Sequence, residues 1–286
     1  ELDDLYRTGT GSSRSGWTAL RRDAGLIAAE PGPEEDYFSR RAADLLHTND
    51  PDRLRVLAAL PTWVSTGLPN DDQRAARLAQ MLAYQIDGRH EQRGTPESFL
   101  KRLASHPEVV EEFSQLGGLL RSRSTLVGTP LPGLEDLPLA LHAGYAIREV
   151  LTAVGWLTAE RRAPFQAGVL ALTQRQTELL FVTLDKSEGY HDRIAYHDYA
   201  ISPERFHWQT QYSAGPDTPA GLRYLQSATN GWRFQLFVRA RKGEPYRACC
   251  PVALETSEGD RPMSITWRMQ VPLPARLFAE FSVLRG

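Results

Sequence analysis

The sequence predicts an α+β protein: an N-terminal all-α helical annex followed by a mainly antiparallel, barrel-like β domain with one or two helices. Three observations predict it. Apolar residues recur at three- and four-residue spacing from residue 17 to about residue 124, with few strand formers. A Pro/Gly-rich segment, Gly128-Thr129-Pro130-Leu131-Pro132-Gly133, then interrupts the chain. Beyond Gly168 the texture turns to continuous or alternating apolar runs of strand length. The expected domains are residues 1–133, a helical annex with its linker, and residues 134–286, a β-rich domain.

In the annex the helical stripe is carried by Tyr37, Ala42, Leu45 and Leu46, then Leu54, Val56, Leu57 and Leu60, then Ala76, Leu78, Met81 and Leu82. Stop signals at Asp50-Pro51, Pro61, Leu68-Pro69-Asn70-Asp71, Gly94-Thr95-Pro96 and His106-Pro107 divide it into about five or six helices. Thr95 followed by Pro96 reads as an N-cap with proline at the first helical position. One more helix is expected over 146–154. The strands follow. Residues 179–184, Leu-Leu-Phe-Val-Thr-Leu, form a continuous apolar run suited to a buried strand. Trp232, Phe234, Leu236 and Val238 alternate with Arg233, Gln235, Phe237, Arg239 and Arg241, so one face enters the core and the other carries guanidiniums. Residues 249–254 and 264–269 supply two more strands, joined through the turn Ser257-Glu258-Gly259-Asp260.

A chain of 286 residues with 41% hydrophobic and 24% charged residues can bury a full core, and its net charge of −2 argues against a polybasic nucleic-acid binder without excluding a local basic face. Only Lys101, Lys186 and Lys242 are lysine, so the cations are nearly all arginine. Genome composition explains that, and so does bidentate recognition of phosphate. The adjacent Cys249 and Cys250 cannot easily bond to each other, which argues for a reducing compartment and a cytoplasmic location. No apolar run is long enough to span a membrane. The chain begins at Glu1 in a Gly/Ser-containing stretch, 9–16, that reads as a linker, and a piece of a longer protein is expected.

The chemistry concentrates in 196–211, Tyr-His-Asp-Tyr-Ala-Ile-Ser-Pro-Glu-Arg-Phe-His-Trp-Gln-Thr-Gln. If 206–211 is extended, Phe206, Trp208 and Thr210 share one face while His207, Gln209 and Gln211 share the other. An imidazole and two amides can read hydrogen-bonding edges, glutamine pairing with adenine. A solvated strand face has the same pattern. The loop 215–221 leads to Arg223 and Tyr224, able to offer a cation to phosphate and a ring to a base, and Arg261 stands at the mouth of a strand. His191, Asp192, His197 and Asp198 form a doubled His-Asp pair, but their spacing is no known ligand geometry, and neither a metal nor another cofactor is expected. No G-x-S-x-G elbow, phosphate loop or dinucleotide fingerprint is present, so no catalytic residue is assigned.

Five ordered blocks carry a resemblance: 180–188 (Leu-Phe-Val-Thr-Leu-Asp-Lys-Ser-Glu), 199–203 (Tyr-Ala-Ile-Ser-Pro), 206–209 (Phe-His-Trp-Gln), 236–239 (Leu-Phe-Val-Arg) and 261–267 (Arg-Pro-Met-Ser-Ile-Thr-Trp). Over about 139–274 the chain resembles the uncharacterised C-terminal domain appended to bacterial superfamily 2 (DEAD/DEAH-type) helicases, often those with a phospholipase-D-like nuclease domain. Cys250-Pro251-Val252 stands where that family usually has Gly-Pro-Val, and the His191 pair is not a family feature. The resemblance implies DNA processing or antiviral defence, with DNA and the helicase motor of the parent chain as partners and no membrane.

The resulting expectation is a non-catalytic DNA-binding module that selects substrate, with modified-DNA sensing as its sharper form. Arg223, Arg239, Arg241 and Arg261 would contact phosphate. His207, Gln209, Gln211 and Tyr212 would face bases, and Trp208, Tyr199 and Tyr224 would offer rings. A partner-docking module and a metal-dependent nuclease using the His-Asp pairs are the alternatives.

Overall fold

The computed structural model of the chain describes residues 2–7, 16–69, 71–88, 94–161, 165–185 and 198–282. It packs as two compact units, residues 1–130 with 134–163, and residues 131–133 with 164–286. Helices dominate the first and a large, mostly antiparallel sheet the second, so the α+β class holds.

The helical unit contains α1 (Leu2–Arg7), α2 (Trp17–Asp23), α3 (Glu35–Arg41), α4 (Pro51–Thr66), α5 (Gln73–Ile86), α6 (Pro96–Ala104), α7 (Pro107–Arg123), the short strand β1 (Gly144–Tyr145) and α8 (Ile147–Ala153). Capping chemistry fixes the starts. Asp50 accepts the Asp52 N–H at 2.9 Å ahead of Pro51, Asp72 accepts the Ala75 N–H at 2.8 Å, and Thr95 Oγ1 accepts the Ser98 N–H at 3.2 Å ahead of Pro96. A proline at these positions removes a donor that the helix could not have paired. Phe38, Leu57, Leu60, Phe99, Leu103 and Phe113 fill the core. Helix α4 packs on α7 at Gly117, where a Cβ would lie 2.6 Å from Leu57 Cβ, so the close approach requires glycine.

A buried polar network joins the start of α4 to α8. The Glu149 carboxylate accepts from Arg53, stands 2.7 Å from His47 Nε2 and accepts the Ala146 N–H at 2.8 Å. Arg53 also donates to the Gly144 carbonyl at 2.8 Å and to Thr48 Oγ1 at 3.0 Å, and its guanidinium lies 4.9 Å from the centre of the Tyr145 ring. Burial pushes the Glu149 carboxyl up, but Arg53, His47 and the Ala146 N–H outweigh it and hold the group below its usual range. A carboxylate depressed by folding stabilises above its unfolded pKa, about 4.3 for glutamate, and that stabilisation is lost as pH falls through the folded value. The stability advantage of wild type over E149Q should therefore shrink on acidification below about pH 4. Urea midpoints measured across pH check this, and an advantage that stays constant to about pH 2 contradicts it.

The second unit contains β2 (Val169–Leu172), β3 (Thr177–Asp185), β4 (Tyr199–Ser202), β5 (Arg205–Gln209), α9 (Pro219–Leu225), β6 (Arg233–Arg241), β7 (Tyr246–Glu258), β8 (Ser264–Met269) and α10 (Ala275–Ser282). Its strands run in the order β2-β3-β6-β7-β8-β5-β4, with β3 and β6 parallel and the other neighbours antiparallel. The barrel-like expectation needs correcting in one respect: among the described residues the sheet is open, and β2 and β4 are its margins. It does curl. Gln211, just past β5, brings its Nε2 within 3.7 Å of where a Cβ would stand on Gly168, just before β2.

One face of the sheet packs an aromatic core. Trp208, Trp267, Phe234 and Tyr224 meet with ring centroids 5.0 to 6.3 Å apart, and all four are at most 6% exposed. Helix α9 supplies Tyr224, whose hydroxyl donates to the buried Glu178 carboxylate at 2.7 Å. Cys249 and Cys250 lie in β7 with both thiols buried, and burial pushes both up, so neither is a reactive thiolate.

Candidate nucleic-acid interface

Residues directly opposite each other in paired strands share a face, so register alone assembles the candidate surface. Across β4, β5 and β8, Tyr199 pairs with His207 and His207 with Thr266. One step along β5 on the same face, Gln209 pairs with Ser264, and one step the other way Arg205 pairs with Arg268. Phe206 and Trp208, which alternate with them, point into the core. The outer face thus presents three cross-strand rows: two guanidiniums, then a phenol, an imidazole and a hydroxyl, then an amide and a hydroxyl. All of these residues are half-buried or exposed.

The rows are ordered. Tyr199 and His207 stack with centroids 5.1 Å apart and planes 19° from parallel. Gln209 donates its Nε2 to Ser264 Oγ at 3.3 Å, and its backbone N–H donates to the Asp198 carboxylate at 2.8 Å. Arg205 grips Glu255 with both edges of its guanidinium, Nε to Oε2 at 2.8 Å and Nη2 to Oε1 at 2.7 Å. Glu255 reaches it from the irregular step in the β7–β8 register between Leu254 and Thr256.

The extended reading of 206–211 is matched over 206–209 by β5, which places His207 and Gln209 together and Phe206 and Trp208 opposite and ends before Gln211. Gln211 and Tyr212 lie beyond the strand, both exposed, Tyr212 by 62%. Their loop is pinned: Thr210 N–H donates to the Met263 carbonyl at 2.9 Å, Met263 N–H donates to Thr210 Oγ1 at 3.0 Å, and Thr210 Oγ1 donates to the Ala214 carbonyl at 2.9 Å. Arg261 closes the far side on Asp217, packed over Gly215, where any Cβ would meet it at 2.6 Å. Tyr212 is therefore an exposed ring on a loop tied down by hydrogen bonds.

Other expected residues sit elsewhere. Trp208 and Tyr224 are core rings, because alternation and α9 turn them inward, and a buried ring has no face to offer a base. Arg223 lies on α9, ion-paired to Glu178 and stacked 4.3 Å from the Trp232 ring centre. Arg239 donates Nε to Thr183 Oγ1 at 2.8 Å and covers the Tyr246 ring at 4.4 Å. The expected ridge of arginines on β6 is interrupted, since both faces of this strand are covered: Gln235 is 2% and Phe237 0% exposed, Phe237 stacking on Phe181 at 5.2 Å. Arg241 is exposed at the strand's end. His191, Asp192 and His197 lie outside the described residues, and among those described no three His, Cys, Asp or Glu side chains could hold a metal.

Arg205 and Arg268 were not singled out by the sequence reading. Their signal was present, because Arg205 has the parity of His207 and Gln209, and Arg268 that of Ser264 and Thr266. Only the pairing of β5 with β8 makes the two parities one surface.

An open, curled sheet with an aromatic core on one face and polar side chains on the outer face of β4, β5 and β8 defines an α+β domain. Residues 139–281 match the family described as Domain of unknown function (DUF3427), and the chain belongs to that family. No curated protein is significantly similar to it. Among the described residues no helix is long and apolar enough to cross a membrane.

Proposed function

We propose that the β unit binds DNA through the outer face of β4, β5 and β8, as a non-catalytic module that selects substrate for a DNA-processing helicase. The observation that carries this reading is the shared register of Tyr199, His207 and Gln209 with Arg205 and Arg268 on one solvent-facing surface. Rings stack on bases, an imidazole and an amide read base edges, and guanidiniums hold phosphate, so one face offers all three kinds of contact. Tyr212 and Gln211 extend the set from the pinned loop at the end of β5. The helicase context rests on the resemblance of the sequence blocks.

Fluorescence anisotropy with labelled single-stranded and duplex DNA at low salt tests the proposal on the full chain. Y199A/H207A is expected to weaken binding by about 1–3 kcal/mol, roughly fivefold to a hundredfold, the range of one base–aromatic stack. Both side chains lie on the outer face, so the circular dichroism spectrum should be retained. Wild-type protein that binds neither DNA at low salt would end the proposal.

A further inference from the structure

We infer that Glu255 occupies the seat of a phosphate group on Arg205, beside Arg268, so that DNA binds this face by exchanging a phosphodiester for a carboxylate. The inference rests on the DNA-binding reading above. Arg205 and Arg268 face each other directly across β5 and β8, an arrangement that places two like charges side by side and is unfavourable without an anion. Glu255 supplies that anion. Its two oxygens take the Nε and Nη2 edges of Arg205 at 2.7 to 3.0 Å, the planar fork that guanidinium also offers to the non-bridging oxygens of phosphate. The carboxyl is held below its usual range by the hydrogen bonds from Arg205, with the charges of Arg205 and Arg268 adding to them. All three side chains are open to solvent: Arg205 is 53% and Glu255 27% exposed, and Arg268 is exposed on the strand's outer face. A competing anion can therefore reach the seat without unfolding anything.

Arg261, on the loop that enters β8, is held in the same way by Asp217. Occupied guanidiniums contribute little to phosphate affinity, because each contact made displaces one already present. Wild-type binding should thus be weak in its electrostatic part and shallow in salt. Glu255 acts here as a specificity residue. It suppresses attachment to any phosphate backbone and leaves the rings and amides of the neighbouring rows to decide what is held.

The test compares wild type, E255Q, R205A/R268A and R205A/R268A/E255Q as full chains, by anisotropy with labelled DNA from about 50 to 200 mM NaCl. E255Q is expected to bind on the order of tenfold more tightly at the low-salt end, and the slope of log affinity against log salt should steepen by about 1 to 2, as for one or two newly freed phosphate contacts. The gain should vanish in the R205A/R268A background. An E255Q protein that binds no more tightly than wild type overturns the exchange while leaving the interface standing. A gain that persists without the two arginines also overturns it, since the effect would then be one of net charge. If wild type does not bind DNA at low salt, both the interface and the exchange fall, whatever E255Q does. The pair is on the surface, so every variant should keep the wild-type circular dichroism spectrum, which excludes misfolding as the cause of any change.

Discussion

Arg53→Ala is expected to destabilise the helical unit by about 3–5 kcal/mol, the cost of leaving a buried carboxylate without its cation. Glu149 is 2% exposed and takes its charge compensation from Arg53, with His47 and the Ala146 N–H as lesser partners. Truncating Arg53 also strands the Gly144 carbonyl and the Thr48 hydroxyl that it served. Hydrogen exchange of the amides in α4 and α8 reads the effect in this unit alone, which matters in a chain of two compact units where one melting curve has no single meaning. Replacing both partners with apolar residues, as in R53M/E149L, should recover much of the loss, because the desolvation cost disappears together with the attraction. A loss below about 1 kcal/mol in R53A would show that water reaches Glu149 and that the pair behaves as a surface one. The same pairing bears on how the family region is cut. A fragment beginning at residue 139, where the family match starts, keeps Glu149 and discards Arg53.

Trp208→Ala should cost the β unit about 3–5 kcal/mol, as expected when a large buried ring leaves a cavity. Trp208 meets Tyr224 edge-to-face at 5.4 Å and Trp267 at 6.1 Å, so its removal opens the centre of the aromatic cluster. Trp208→Phe keeps a ring in place and should fold, with a smaller loss of stability, read from the urea midpoint of the β unit. Its affinity for DNA should equal that of wild type within about a factor of two, since a residue buried on the opposite side of β5 makes no contact with a ligand on the outer face. A large loss of DNA affinity in folded W208F would return Trp208 to the role of a stacking residue and move the interface to the core side of the sheet.

Trp208 shows where the sequence was legible and where it was not. The period of two in β5 separates Phe206 and Trp208 from His207 and Gln209, and that separation is observed. Which of the two faces meets solvent depends on what packs against them, and α9 with Tyr224 packs against the tryptophan. The strand β6 makes the same point in reverse. Its alternation of apolar and cationic residues fits a strand with one solvated face, yet both faces are buried in the middle, where Gln235, Leu236, Phe237 and Val238 are all at most 2% exposed. Arg223 and Tyr224 follow a loop rich in turn residues, and a hairpin loop looks the same in sequence. Here Thr218 caps a short helix instead, accepting the Gly221 N–H at 3.0 Å, and the helix turns Tyr224 inward to Glu178.

By itself the sequence determined the α+β class, the change to strand texture beyond Gly168, the capped start of α6 and the two-faced character of β5. Each of these is local: it depends on dihedral preference, on the 3.6- or 2-residue period, or on a cap within four residues. The tertiary structure decided which arginines already hold carboxylates, the open curl of the sheet and the parallel pairing of β3 with β6. It also brought Arg205 and Arg268 onto the face of His207 and Gln209. These depend on which distant strands become neighbours, and that choice is made by burial of the whole aromatic core, whose energy no short stretch of sequence contains.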